Sequence, residues 1–77
     1  MEQQHYQNLK AKFGARVKEL RIQKGLSTIE MSRRCSMDSG NYVKIEQGKV
    51  NPTLKTIGII CQALDVSFIE LFKTISV

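Results

Sequence analysis

Residues 26–48 read LSTIEMSRRCSMDSGNYVKIEQG, a stretch that contains the start and stop signals of two short helices. Ser27 and Glu30 have the spacing of a capping box, which marks the beginning of a helix. Asp38 is a cap for a second helix, and Gly48 is a natural end for it. Two short helices joined by a turn of about three or four residues, with the second at the surface, are typical of a helix-turn-helix.

The side chains of these two helices divide into an inward and an outward set. The first helix is predicted to run to about Arg34 or Cys35 and to turn Met31 and Cys35 toward a core. In the second helix, Tyr42 and Ile45 share the inward face. The outward face carries small, polar or basic residues, namely Gly40, Val43, Lys44 and Gln47, flanked by Ser39 and Asn41. A glycine and a valine would be unfavourable there if the helix faced only water.

Hydrophobic periodicity predicts one helix before this pair and another after it. The first helix ends at Gly25, and its apolar stripe consists of Tyr6, Leu9, Phe13, Val17 and Leu20. After the linker KVNP, Thr53 is a candidate cap for the fourth helix. Its inward stripe is predicted to be Leu54, Ile57, Ile60, Cys61 and Leu64.

The residues after this stripe predict a turn and a fifth helix. Asp tolerates a left-handed turn better than most residues, so the chain is expected to turn at Asp65. Ser67 and Glu70 again have capping-box spacing, and Leu71 and Phe72 then face inward. Five short helices without an alternating strand pattern predict an all-α fold.

The composition fits one small domain that spans residues 1–77. The chain is 42% hydrophobic and has a net charge of +5. The charge is uneven, because residues 1–55 carry eleven Lys/Arg and five Asp/Glu, whereas residues 56–77 carry one Lys and two Asp/Glu. A basic first part suits a polyanion-binding face, although charge alone equally allows a solvated surface.

The sequence lacks the features of several other classes of protein. One histidine and two distant cysteines, Cys35 and Cys61, predict no metal site. Both cysteines are expected to be buried and reduced, although a disulfide is possible without being required. No nucleophile–base arrangement and no phosphate-binding glycine loop occur, so no enzyme, cofactor or small-molecule ligand is predicted. No segment has the pattern of a signal peptide or a membrane span, which predicts a soluble, cytoplasmic protein with no membrane partner.

The segment LRIQKGLSTIEMSRRCSMDSGNYVKIEQGKVNPTLKTI, with CQALDVSFIELF after it, resembles the lambda-repressor-like (Xre-type) helix-turn-helix family. The resemblance covers about residues 13–72 and leaves a short helical extension before it and a short tail after it. It rests on three spaced signals, KGLS, IEQGKVNPT and ALDVSFIELF. It implies a compact five-helix DNA-binding domain that usually acts as a symmetric dimer and regulates transcription.

The resemblance also implies that the third helix enters the major groove of double-stranded DNA and reads bases there. The matching positions are Ser39, Gly40, Asn41, Val43 and Lys44. Their chemistry agrees, since Asn can bond to adenine, Lys to guanine, and a Val methyl can meet a thymine methyl. The amides at the start of this helix also favour a nearby phosphate. Gly40 is a departure, because the family usually presents a side chain at that position.

Phosphate contacts are implied at the start of the second helix and in the loop after the third. The matching residues are Ser27, Thr28, Gln47 and Lys49, with Lys24, Arg33 and Arg34 as weaker candidates. The family often has Gln at the position of Thr28, whose hydroxyl reaches less far. Arg21 and Glu46 match a pair that ties the first helix to the third, and an Arg fork and a carboxylate suit a partly buried bridge.

Several apolar residues near the C-terminal end are left over from the predicted core. Ile59 points away from the filled stripe of the fourth helix, and Ile69 lies off the face of Leu71 and Phe72. The residues predicted to form an apolar dimer patch are Ile59, Phe68, Ile69, Ile75 and Val77. Scattered apolar residues are also normal on a surface. We expect a twofold homodimer that places two third helices about 34 Å apart on an inverted repeat.

The leading hypothesis is a sequence-specific DNA-binding transcriptional regulator, a repressor that acts by occupying its operator. The alternative is a protein-interaction module or an antitoxin-type partner protein that keeps the fold without reading DNA. The basic face favours the first hypothesis, because a surface that no longer binds DNA need not stay basic. A phage repressor, a restriction–modification controller and an antitoxin would all share these features.

Overall fold

The computed structural model describes the backbone of residues 2–75 and the side chains of residues 7–75. This part of the chain contains five helices. Their bounds are α1 (Glu2–Gln23), α2 (Thr28–Arg34), α3 (Ser39–Glu46), α4 (Leu54–Leu64) and α5 (Phe68–Phe72). The predicted all-α, five-helix fold is confirmed, and residues 2–75 contain no strand. The predictions for the side chain of Tyr6 and for Val77 lie outside the described residues.

Helices α2 to α5 each begin directly after the residue that the sequence predicted as the cap. The side chain of the cap accepts N–H bonds from the first turn in each case, and the four caps are Ser27, Asp38, Thr53 and Ser67. At α2 the capping box closes in both directions, because Glu30 Oε1 also accepts the backbone N–H of Ser27 at 2.9 Å. These bonds pair amides that the start of a helix leaves without partners.

Helices α1 to α4 end in the same backbone turn. The left-handed residues at these ends are Gly25 (φ 74°), Ser36 (φ 53°), Gly48 (φ 73°) and Asp65 (φ 57°). The next amide then bonds to a carbonyl five residues earlier, as from Leu26 to Arg21 at 3.1 Å. This geometry satisfies carbonyls at the helix end. The predicted left-handed turn at Asp65 is confirmed, and Ser36 adopts the same conformation without being a glycine.

The core lies where α1 packs against α3, α4 and α5, and where α2 packs against α3 and α4. The buried residues that were predicted to face inward are Phe13, Val17, Leu20, Met31, Cys35, Tyr42, Ile45, Ile60, Cys61, Leu64 and Leu71. The prediction for Leu54 is wrong, because its side chain is 74% exposed. Leu54 is the first residue of α4, and helical side chains lean toward the N-terminus, so this one extends past the edge of the core.

Arg16 is buried and joins α1 to the end of α5. Its guanidinium donates to the carbonyl oxygen of Leu71 at 3.1 Å and to that of Glu70 at 2.6 Å. It also forms ion pairs with the carboxylates of Glu19 at 2.9 Å and Glu70 at 3.2 Å. Because α5 has only five residues, these bonds to its carbonyls help the buried Leu71 to hold it in place. The charge of Arg16 is therefore internal, although the sequence counts it toward a basic surface.

Candidate nucleic-acid interface

One side of α3 forms an exposed face at the surface of the fold. Ser39, Gly40, Asn41 and Lys44 are exposed, as the helical pattern predicts. Val43 differs from the expectation of a bare apolar residue in water, because it is half-buried and packs against the core. The side chains that reach furthest from this face are therefore polar or cationic.

The amides at the start of α3 are engaged within the protein. Asp38 Oδ2 accepts the backbone N–H of Gly40 at 3.0 Å and that of Asn41 at 3.3 Å. The expectation that the first amides of α3 favour a phosphate is therefore corrected for Gly40 and Asn41, because the Asp38 carboxylate already accepts their N–H groups. A Cβ atom on Gly40 would lie 3.1 Å from the same oxygen, which is tighter than most real Cβ contacts. The absence of a side chain at Gly40 thus leaves room for the Asp38 cap. This is a local reason for a glycine here, besides any close approach of DNA.

The residues implied in phosphate contact lie at two places that flank α3 in sequence. Ser27 and Thr28 stand at the start of α2, where Ser27 is exposed and Thr28 half-buried. Ser27 Oγ accepts the N–H of Glu30 at 3.0 Å, so the hydroxyl proton is still available to donate to a phosphate. Gln47 and Lys49 are exposed in the turn after α3.

The charge around the start of α2 is mixed. The N–H of Ser27 holds the pKa of the Glu30 carboxyl below its ordinary value, so a stable negative charge lies beside Ser27. Lys24 and Arg33 are exposed cations. Arg34 instead donates from Nη1 to the carbonyl oxygen of Ala63 at 3.1 Å, which ties the end of α2 to the end of α4. Arg34 therefore has a structural contact that its sequence position did not reveal.

Behind the exposed face, Arg21 of α1 and Glu46 of α3 form a bidentate ion pair. Arg21 Nε lies 2.6 Å from Glu46 Oε2, and Nη2 lies 3.2 Å from Oε1. Their side chains are only 11% and 7% exposed. Arg21 Nη1 also donates to the carbonyl oxygen of Leu26 at 2.9 Å, and the hydroxyl of Tyr42 donates to Glu46 Oε2. The Glu46 carboxylate thus connects α3 to Arg21 of α1 and also binds Tyr42 on the inward face of α3.

The ionisation of this group follows from its surroundings. The hydrogen bond to Glu46 raises the pKa of Arg21 above its ordinary value. Burial, and then the hydrogen bond to Glu46, raise the pKa of Tyr42 well above its ordinary value. At neutral pH the guanidinium of Arg21 therefore stays charged and the phenol of Tyr42 neutral, and both donate to the Glu46 side chain.

A second attachment of α3 to α1, at Gly14, was missed from the sequence. A Cβ atom on Gly14 would lie closer than 3.0 Å to the carbonyl oxygens of Ile45 and Glu46. A Cβ atom on Gly48 would lie 2.8 Å from the Cα of Ala11. The available signal was a glycine inside the apolar stripe of a long helix, where it costs about 1 kcal/mol relative to alanine unless packing requires it.

The predicted dimer residues differ in exposure. Ile69 is 80% exposed and Phe68 43% exposed, so both present apolar surface. Ile59 and Ile75 are half-buried and pack against the core, which corrects the expectation that Ile59 points away from it. The reason is that α4 contacts α1, α2 and α5, so more than one narrow stripe of this helix is covered.

Other kinds of site find little support in the described residues. Among the side chains of residues 7–75, no group of three or more His, Cys, Asp or Glu residues could hold a metal ion. Burial raises the pKa of both the Cys35 and the Cys61 thiols, which disfavours the reactive thiolate. No helix in this part of the chain combines the length and the apolar character needed to cross a membrane.

Residues 17–71 match the family model described as Helix-turn-helix. The chain is 36% identical over 58 residues to the uncharacterized HTH-type transcriptional regulator y4dJ of Sinorhizobium fredii (strain NBRC 101917 / NGR234), with 75% of each protein covered. It is 37% identical to the solved restriction-modification controller protein C.AhdI from Aeromonas hydrophila, with a TM-score of 0.78 and coverage of 80% of this chain and 94% of that one. The wild-type controller protein C.Esp1396I is 26% identical, with a TM-score of 0.79 and 84% of each chain covered. These matches show that the chain belongs to the lambda-repressor-like (Xre-type) helix-turn-helix family of DNA-binding transcriptional regulators, as its sequence predicted.

Proposed function

We propose that this regulator binds double-stranded DNA as a homodimer and represses transcription by occupying an inverted-repeat operator. The observation that carries the proposal is the exposed face of α3, which is held from behind by the largely buried pair of Arg21 and Glu46. A rigid helix with a polar and cationic exposed face is the element that direct reading of the major groove requires.

Base reading is assigned to Ser39, Gly40, Asn41, Val43 and Lys44. Asn41 and Lys44 are exposed and three residues apart, so their side chains project from neighbouring positions of one helical face. Asn41 fits adenine and Lys44 fits guanine, whereas the half-buried Val43 can offer only part of its surface to a thymine methyl. Most of the direct discrimination therefore falls on Asn41 and Lys44, with Ser39 beside them.

The phosphate backbone is assigned to Ser27, Thr28, Gln47 and Lys49. Contacts from the start of α2 and from the turn after α3 would hold the duplex on both sides of the reading helix. Such contacts fix register without carrying sequence information themselves. Lys49 supplies a full positive charge, whereas the other three are neutral donors, so its contact should dominate the salt dependence of this group.

The dimer is assigned to the α4–α5 end, where the exposed apolar residues Phe68 and Ile69 lie. Ile59 and Ile75 are only partly exposed and pack against the core, so they would contribute a smaller part of their surface to this interface. The relative C.Esp1396I was solved as a tetramer in complex with its natural 35 base-pair operator, which supports an assembled DNA-bound form for this chain as well. A twofold dimer would place two copies of α3 about 34 Å apart.

Repression by occlusion is the simplest mechanism for such an assembly, because a dimer that covers two half-sites blocks other proteins from the same DNA. We assign residues 1–77 to a single domain, and no catalytic activity to it. We place the protein in the cytoplasm, together with the DNA that it binds.

Selection of bound sequences from a random duplex library tests this proposal. The expected result is a short inverted repeat whose affinity survives competitor DNA and falls steeply as salt rises. Absence of DNA binding even at low salt would leave the protein-interaction module or antitoxin-type partner as the better assignment. Binding without sequence preference would contradict the base-reading roles and leave the phosphate contacts intact.

A further inference from the structure

Helices α1 and α3 approach each other most closely at Gly14. An ideal Cβ atom on Gly14 would lie closer than 3.0 Å to two α3 carbonyl oxygens, and 2.8 Å from the carbonyl carbon of Glu46. Real Cβ atoms essentially never come this close to a neighbour. The neighbouring atoms are main-chain atoms, so no side chain can rotate away to relieve the overlap. The only side chain that this crossing admits is a hydrogen atom.

The contact is reciprocal, because Gly48 meets the main chain of α1 one turn away from Gly14. A Cβ atom on Gly48 would lie 2.8 Å from Cα and 3.0 Å from N of Ala11. Gly48 also has a φ of 73°, which closes the turn after α3. The C-terminal end of α3 thus rests on the backbone of α1 at two successive turns, and the pair of Arg21 and Glu46 adds a third attachment.

The position of this crossing matters for the base-reading side chains along α3. The base-reading side chains are held by α3, whereas Ser27 and Thr28 belong to α2. A displacement of α3 on α1 would therefore move Asn41 and Lys44 relative to the phosphate contacts of α2. Binding constellations must be held to within about 0.5 Å to keep productive geometry. A Cβ atom at Gly14 would lie well inside 3.0 Å of two carbonyl oxygens, and real Cβ atoms essentially never come that close to a neighbour, so an alanine there requires the two helices to shift by more than this tolerance.

We propose that Gly14 is a positioning residue for operator recognition. It fixes the position of α3 on α1, and thereby the position of the base-reading side chains relative to the phosphate-contacting residues. The inference rests on the proposed DNA-binding function. It assigns part of the sequence discrimination to a buried glycine that touches no DNA.

The test compares Gly14→Ala with Gly58→Ala. Both glycines lie within helices, so both substitutions gain the same intrinsic helix propensity. A Cβ atom on Gly58 would meet no atom within 4 Å, so this variant is a matched control without a steric change. Affinity is measured for the selected operator and for an unrelated duplex of the same length, and circular dichroism gives the folded fraction of each variant.

In Gly14→Ala we expect the operator affinity to fall about tenfold or more, the typical effect of one lost base contact, while the affinity for the unrelated duplex changes less than about twofold. Gly58→Ala should keep the wild-type ratio of the two affinities. A purely structural role would lower both affinities in proportion to the folded fraction and leave their ratio unchanged. An unchanged ratio in Gly14→Ala therefore overturns the proposal.

Two further outcomes remain decisive. If Gly14→Ala is partly unfolded, the measurement is made in the Gly14→Ala/Gly58→Ala double variant with a stabilising osmolyte. A double variant that stays unfolded there also overturns the proposal, since Gly14 would then be a requirement of the whole fold. If the wild type itself binds DNA without preference, the proposed function fails at an earlier step, which is distinguishable from failure of the Gly14 variant alone.

Discussion

The hydroxyl of Tyr42 donates a hydrogen bond to the carboxylate of Glu46, one turn further along α3. The same carboxylate accepts two N–H bonds from Arg21 of α1. A buried side chain of α3 and a side chain of α1 therefore share one anion. This connection fixes the rotation of α3 about its own axis, so the face that carries Asn41 and Lys44 stays directed outward.

Replacement of Tyr42 by Phe should lower the free energy of unfolding at pH 7 by about 1.5–3 kcal/mol, the usual range for a hydrogen bond to a charged group. The effect should depend on pH. The folded state raises the pKa of Tyr42, whose ordinary value is 10.0, so above about pH 10 the unfolded chain releases a proton that the folded chain retains. Wild-type stability should therefore fall as pH rises beyond 10.

Urea denaturation from pH 7 to 11 measures both parts of this prediction. The Tyr42→Phe variant should lose less stability over the alkaline range than the wild type does, because its residue 42 no longer titrates. Parallel stability curves for the two proteins would show that the phenol does not contribute in this way.

Replacement of Arg21 by Met should destabilise the fold by about 3–5 kcal/mol, because it leaves the Glu46 carboxylate buried without its cation. The exposed pair of Lys73 and Glu70, at 3.4 Å, provides the matched control. Lys73→Met should cost less than about 1 kcal/mol, as exposed pairs usually do. Chemical denaturation of the two variants checks the contrast, and equal losses would mean that the burial of the Arg21 pair has no energetic weight.

Lys44→Ala and Lys49→Ala should affect DNA binding in different ways. Lys44→Ala should relax the preference at one base pair by about 1–3 kcal/mol, because it removes a base contact. Lys49→Ala should weaken all sequences alike and reduce the salt slope by about 1, because it removes a phosphate contact. Competition binding against single-base variants of the operator, at several salt concentrations, separates the two outcomes. A uniform loss in Lys44→Ala would remove it from the base-reading set.

Charge introduced at Phe68 and Ile69 should break the dimer without disturbing the fold. Ile69 is 80% exposed and Phe68 43% exposed, and neither belongs to the buried core, so Phe68→Lys/Ile69→Lys changes mainly the surface and removes one ring contact, that of Phe68 with Phe72. Light scattering should show a dimer for the wild type and a monomer for this variant. Ile22→Lys is the control, since Ile22 is a 58% exposed apolar residue of α1 outside the predicted interface. A dimer in both variants would place the interface elsewhere.

Much of the fold could be predicted because its determinants are local. The caps at Ser27 and Asp38, the turn at Asp65 and the apolar periodicity each depend on a few neighbouring residues. Gly14 and Arg16 could not be interpreted in the same way, because their roles arise from α3 and α5, which meet α1 only in the folded chain. A lone glycine or arginine in a helical pattern does not specify its distant neighbour.

The site shows the same division between local pattern and tertiary packing. Helical periodicity predicted correctly that Asn41 and Lys44 are exposed. It placed Val43 in water, whereas Val43 packs partly against the core, because the neighbouring helices enclose more of α3 than a single stripe. The prediction that Leu54 is buried was wrong for the opposite reason. Leu54 follows the apolar periodicity, but it is the first residue of its helix and lies beyond the neighbouring residues that could cover it.

The internal ion pairs of Arg16 and Arg21 also affect how long the protein stays bound to DNA outside its operator. These two residues account for two of the eleven positive charges in residues 1–55. Cations at the surface prolong residence on every stretch of DNA, whatever its sequence. Because these two arginines form ion pairs with Glu70 of α5 and Glu46 of α3, they add little to non-specific DNA binding. The fold therefore gains strong internal cross-links from cations while leaving the protein freer to dissociate and continue its search for an operator.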